Sequence, residues 1–228
     1  MQHFTKYKDQ TRQMKQDTPK TNEIKYIVFD FDGTLANTLE AIRDIAKDEV
    51  GIISDEDFEM MRLEGIKGVI KRYDIKAWEL PKVIARFSSK LKKRNDVNLY
   101  PQIVELIETI TPQYKVGILS SNSEDNIRQT LDRYNITNKF EFIYSQSSLF
   151  GKDKVMKKMC KRHQIGISEI IYIGDEDRDI TACKKAGIKC IAVTYGFNNR
   201  ERIIKTKPDY IVDSPMEIAE VVRIINQQ

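Results

Sequence analysis

The chain has 228 residues, with 40% hydrophobic and 32% charged side chains and a formal net charge of +4, a balance ordinary for a soluble protein with a sizeable core. So small a net charge, with basic residues spread among acids, gives no argument for a nucleic acid or a membrane surface as partner, and no apolar run approaches the ~20 residues of a spanning helix. The only histidines, His3 and His163, exclude a multi-histidine zinc site and would leave a Ser-His-Asp triad resting on His163 alone. Carboxylates and lysine are therefore the available acids and bases.

In chain order, residues 1–23 are polar and mildly basic and lack the apolar stretch of a secretory signal, so they read as a flexible extension. From residue 24 short apolar runs rich in β-branched residues follow one another: "YIVF" (26–29), "VGIL" (116–119), "FIY" (142–144), "IIYI" (170–173), "CIAV" (190–193) and "YIV" (210–212). Stretches with helical spacing lie between and after them, among them "QIVELIETI", "NIRQTLDRY", "VMKKMCKRH" and "EIAEVVRII". Continuous apolar strands alternating with helices predict an α/β fold, a parallel sheet covered by helices on both faces. Ser123 reads as a helix N-cap and Gly187 as a helix stop.

Between residues 37 and 97 the alternation lapses, and only helical stretches such as "LEAIRDIAKDEV" and "ELPKVIARFSSKLKKR" appear. The expected organisation is a core of residues 24–36 and 98–228, with residues 37–97 inserted as a helical subdomain. Cys160, Cys183 and Cys190 form no C-x-x-C pair and are odd in number. That favours reduced, buried thiols and a cytoplasmic setting.

Chemistry collects just after the strands, where open α/β sheets bind their ligands. The first strand ends in Asp30-Phe31-Asp32-Gly33-Thr34, the second in Ser120-Ser121-Asn122 and the fourth in Gly174-Asp175-Glu176-Asp177-Arg178-Asp179; Gly151-Lys152 precedes a helix. Taken singly, each has an ordinary reading: an acidic turn, a serine loop, a solvated helix start, acids at a helix N-terminus. Together they place several carboxylates in one small volume, where some would protonate unless a cation joined them. Oxygen-only ligands suit Mg²⁺. A hydroxyl and a lysine opposite suit a phosphate group.

"FDFDGTLANT", "GILSSN", "FGK" and "YIGDEDRDITACKKAGI" resemble the motifs of the haloacid dehalogenase superfamily. The similarity runs over residues 24–213 and is greatest to the phosphoglycolate-phosphatase-like group, which carries a small helical cap on a Rossmann-like core. One departure is Gln102 after Pro101, where the family often has glycine; it lies outside the reactive centre. The resemblance implies Asp30 as nucleophile forming an aspartyl-phosphate, and Asp32 as the acid and then the base. It implies Mg²⁺ held by the carboxylates of Asp30 and Asp175 and the backbone carbonyl of Asp32. Ser120 and Lys152 would hold phosphoryl oxygens, helped by backbone N–H groups near Phe31 and Ser121, and Asp179 would support the metal or orient Lys152. In the cap turn "RLEGIKG", Arg62, Gly65 and Lys67 are the expected substrate-facing residues.

The activity implied is hydrolysis of a small phosphorylated metabolite, phosphoglycolate being the family-level expectation, by a monomer or homodimer. Asp32 argues for phosphoryl transfer over dehalogenation, which has no alkoxide to protonate. A phosphomutase shares these motifs, and a non-catalytic binding or regulatory module is the remaining alternative.

Overall fold

The computed structural model describes residues 23–51, 54–64, 72, 76, 78–92, 94, 97–146 and 151–227. Residues 1–22 of the expected N-terminal extension, Gly65 and Lys67 lie outside these. Six strands form one sheet: β1 (Tyr26–Phe29), β2 (Lys115–Ser120), β3 (Phe140–Ser145), β4 (Ile170–Gly174), β5 (Lys189–Val193) and β6 (Tyr210–Val212). Their order is β3-β2-β1-β4-β5-β6 and every pairing is parallel. Each predicted apolar run became a strand, extended by no more than two residues at either end.

The strands alternate their side chains between two layers, which is why both faces are apolar. Ile27 and Phe29 of β1 pack on one side with Ile118, Ile173 and Ile191, beneath α4 (Ile103–Ile110), α5 (Glu124–Asp132) and α9 (Pro215–Asn226). Val28 points the other way, with Leu119, Tyr172 and Ala192, beneath α6 (Lys152–His163), α7 (Asp177–Ala186) and α8 (Arg200–Thr206). Full burial of side chains of this size contributes about 1.5–3 kcal/mol each. Ser123 accepts the Asn126 N–H as the cap of α5, and Gly187 ends α7 at φ 76°. The three cysteines are free and buried.

Between residues 37 and 97 the described chain contains α1 (Leu39–Val50), α2 (Asp55–Glu64) and α3 (Leu80–Lys92), and no strand among the described residues. Ala46, Phe58 and Met61 form a separate apolar cluster there. The two connections to the core run side by side: Ala36 bridges Leu99, and Asn37 N–H donates to Asn98 C=O at 2.7 Å. Among the described residues no helix is long and apolar enough to cross a membrane.

The strand order reverses direction at β1. β2 and β3 lie on one side of it, β4 to β6 on the other. Such a switch point opens a crevice beyond the carboxyl ends of the strands, and Asp30 is the first residue past β1.

Candidate active site

Asp30 is carried out of β1 in register with the adjacent strand, its N–H donating to Ile173 C=O at 2.8 Å. The structure brings to this point Asp32 from the same strand end, Ser120 from the end of β2, Asp175 from just after β4, and Lys152 and Asp179 from the first turns of α6 and α7. Asp30, Ser120, Asp175 and Asp179 are 5%, 2%, 1% and 0% exposed. Burying so many carboxylates requires partners, and the principal one is Lys152. Its Nζ donates to Asp30 Oδ2 and Asp179 Oδ1, both at 2.6 Å, reaching them from the first residue of α6. Asp179 also accepts the Glu176 N–H on its other oxygen at 3.3 Å, so it fixes the lysine from behind.

The electrostatics follow from this crowding. Burial pushes the Asp30 carboxyl up, and Lys152 opposes it. Burial, then the charges of Glu176, Asp179 and Asp30, hold Asp175 well above the usual carboxylate range. Burial disfavours the charge on Lys152, yet Asp179 and Asp30 more than offset this and keep it a cation. Asp32 is pushed up to about 7 by burial and by the neighbouring Asp30; its Oδ1 accepts only from the Asn122 side-chain amide, at 3.2 Å, among the contacts of the described residues.

Asp175 is aligned by two bonds: Thr34 Oγ1 donates to Oδ1 at 3.1 Å and Phe197 N–H to Oδ2 at 2.8 Å. The backbone of Gly33 approaches it so closely, at φ 77°, that a Cβ there would fall 2.1 Å from Asp175 Oδ2. Only glycine fits this approach. Ser120 Oγ accepts the Asn122 N–H at 3.0 Å. Ser121 is exposed beside it, and both line a cavity of about 270 Å³ together with Lys152 and Arg178.

A cation fits this donor set. Asp30, Asp175 and Asp179 each offer an oxygen, all within 4.8 Å of one another, and burial first, then neighbouring carboxylates, raises the carboxyls of Asp30 and Asp175, a cost that a bound cation would offset. Hard oxygen donors in such a cluster suit a divalent ion of the Mg²⁺ type.

Arg62 sits elsewhere than at this cavity. All three of its guanidinium nitrogens are bonded: Nε to Phe197 C=O at 3.0 Å, Nη1 to Glu59 at 2.9 Å and Nη2 to Gly196 C=O at 3.1 Å. His163 ends α6 and stacks on Phe142 with ring centroids 4.1 Å apart, about 16 Å of helix from Lys152 at the other end, so it offers this site no base. Sequence reasoning did not single out Thr34 or Asn122 as partners of Asp175 and Asp32, although both stand within the quoted motifs. It also missed Gly196 and Phe197. The rule that chemistry collects after strand ends applies to "TYGF" after β5 as well and would have found them.

A family model described as haloacid dehalogenase-like hydrolase matches residues 27–193. A phosphoglycolate phosphatase of Synechococcus elongatus is 27% identical over 209 residues, 89% of this chain and 99% of that protein. A phosphoglycolate phosphatase of Vibrio parahaemolyticus is 27% identical over 131 residues, covering 56% of this chain and 58% of that one. In fold, the chain resembles a haloacid dehalogenase-like hydrolase of Streptococcus pneumoniae with a TM-score of 0.71 at 24% identity, over 87% of this chain and 98% of the other. With the family model spanning more than half its length and the family's motifs gathered at one sheet edge, the chain belongs to the haloacid dehalogenase-like hydrolase family and is phosphoglycolate-phosphatase-like.

Proposed function

We propose that the protein is a Mg²⁺-dependent phosphatase that hydrolyses a small phosphate monoester of the phosphoglycolate kind through an aspartyl-phosphate on Asp30. The observation that carries this reading is the contrast between two carboxyls from one strand end. Asp30 is bonded to the Lys152 cation, which opposes the rise that burial gives its carboxyl, while Asp32 meets only an amide among the described contacts and is pushed up to about 7. Paired groups in such different surroundings divide the work of nucleophile and proton carrier.

Asp30 would attack phosphorus while the ester oxygen leaves with the proton of Asp32. Asp32, now a carboxylate, would take a proton from water as that water attacks the phosphorus of the aspartyl-phosphate. This releases phosphate and restores both residues. Ser120 and Lys152 would hold the phosphoryl oxygens, with Ser121 at the rim, and Asp179 would keep Lys152 in place. Asp30 and Asp175, with the Asp32 carbonyl, would hold Mg²⁺, which supplies neutralising charge between the carboxylate and the phosphate. Residues 37–97, with α1 to α3, would act as a cap excluding water from the site.

Phosphate release by the purified protein from a panel of phosphorylated metabolites, in Mg²⁺, tests this reading. Turnover is expected to favour small monoesters and to cease on chelation. No release from any member, or release indifferent to a chelator, would refute it.

The role of Asp32 predicts a pH profile. Its acid form is needed for a poor leaving group, so kcat/KM for an alkyl phosphate should fall about tenfold per pH unit above its pKa. That pKa is about 7 without a cation, and the positive charge of a bound one moves it down. An aryl phosphate, whose leaving group needs no proton, should show a flatter alkaline limb. Parallel limbs for the two substrates would remove Asp32 from the proton step.

A further inference from the structure

Phe197, in the loop after β5, is held from three sides. Its N–H donates to Asp175 Oδ2 at 2.8 Å and its carbonyl accepts from Arg62 Nε at 3.0 Å. Its side chain packs, as Leu39 and Ile42 do, against the cluster of Ala46, Phe58 and Met61 from α1 and α2. The preceding carbonyl, that of Gly196, accepts from Arg62 Nη2 at 3.1 Å. That carbonyl and the Phe197 N–H belong to one peptide group, which is planar and stiff. Arg62 and Asp175 therefore grip opposite ends of the same rigid plate. There is little slack around it: a Cβ on Gly196 would fall 2.2 Å from Asp175 Cβ and 2.3 Å from the Gly33 carbonyl oxygen.

The grip runs in both directions. The same loop, with the start of α8, also supplies partners to carbonyls in the last turn of α2. The Arg62 carbonyl accepts from the Asn199 N–H and the Asn198 side-chain amide, both at 3.4 Å. The Leu63 carbonyl accepts from Arg202 Nη1 at 2.9 Å, and Arg202 Nη2 reaches Asp177 at 2.6 Å. Docking of α2 and fixing of this loop are one structural event.

We propose that Arg62 and Phe197 are positioning residues through which docking of the α1–α3 segment sets the cation affinity of Asp175. The inference rests on the metal-site reading above and gives Arg62 a task other than facing the substrate. Asp175 is aligned by the Thr34 hydroxyl and the Phe197 N–H. Releasing the far end of the peptide plate lets the second of these turn away, and the carboxylate with it.

Titration of the whole protein with Mn²⁺, free ion being counted by electron paramagnetic resonance, reads affinity without turnover. Arg62→Ala and Phe197→Ala are expected to weaken Mn²⁺ binding about 10-fold, the scale of a lost outer partner of a metal ligand. Arg62→Lys should weaken it less, because one ammonium still reaches a carbonyl, and it keeps the test open if an alanine variant folds poorly. Substrate KM at saturating cation should stay unchanged in all three. Wild-type Mn²⁺ affinity in the folded variants would overturn the proposal and leave the phosphatase reading standing. A raised KM at unchanged Mn²⁺ affinity would overturn it in favour of a substrate contact by Arg62. No Mn²⁺ binding by the wild-type protein would overturn both readings.

Discussion

Lys152→Met is expected to destabilise the cation-free protein by about 3–5 kcal/mol, the usual cost of stripping one partner from a buried ionic pair. Lys152 Nζ is bonded at 2.6 Å to both Asp30 and Asp179, and those carboxylates are shielded from water. Methionine matches the length of the lysine stem but leaves the two acids facing each other and Asp175. The carboxyls of Asp30 and Asp175, already raised by burial, would then bind protons at still higher pH in the folded state than in the unfolded chain. Folding that takes up protons loses stability as pH rises. The deficit should therefore be small in acid and grow upward from the ordinary carboxylate range. Urea denaturation at pH 5 and pH 8 measures it. Excess Mg²⁺ should return part of the loss by mass action, about 2.7 kcal/mol at a hundred times Kd. A deficit under about 1 kcal/mol at pH 8 would mean that Lys152 is not what makes the acidic cluster tolerable.

Asp30→Asn should lower phosphate release by at least about 10⁴-fold, because no other group stands in for a lost nucleophile. The fold should survive the change. Asparagine has the same shape, its amide oxygen can accept the Phe31 N–H that Asp30 Oδ1 now accepts at 2.7 Å, and Lys152 keeps Asp179. Since burial already raises the Asp30 carboxyl, a neutral amide removes a charge that was costly to bury. The thermal midpoint is expected to move by less than about 5 °C, equivalent to roughly 1–2 kcal/mol for a chain of this size. Acid-quenched wild type should carry label from a radiolabelled phosphate ester and the variant none. Turnover by the variant within a factor of ten of wild type would end the covalent mechanism.

The sheet was readable from the sequence because the inner strands β1, β2, β4 and β5 are buried on both faces, so each has a continuous apolar run and an abrupt end. "YIVF" and "YIV" coincide with β1 and β6 residue for residue. The gathering of Asp30, Asp32, Ser120, Lys152, Asp175 and Asp179 was readable for a related reason. A parallel sheet sends every strand's carboxyl end to one edge, so order along the chain already implies proximity. Arg62 resisted the same treatment. Its partners, Gly196 and Phe197, lie on a loop more than a hundred residues later, and nothing in the helical spacing of α2 says which way a guanidinium will turn. Thr34 and Asn122 were visible as letters of motifs, but their bonds to Asp175 and Asp32 depend on rotamers that spacing does not encode. Gly65 and Lys67 fall outside the described residues.

The adjacent crossing of the chain at Ala36 and Leu99 has a consequence for how this molecule could diversify. Because departure and return meet at one bridge, the whole stretch between them is topologically a single excursion from a closed frame. Its length is nearly free thermodynamically, each doubling of a flexible loop costing only about 0.6 kcal/mol. An excursion of different size or make-up could be spliced in at that bridge without disturbing the pairing of any strand. Change in that excursion is thus separable along the chain from change at the strand ends that carry Asp30, Ser120 and Asp175.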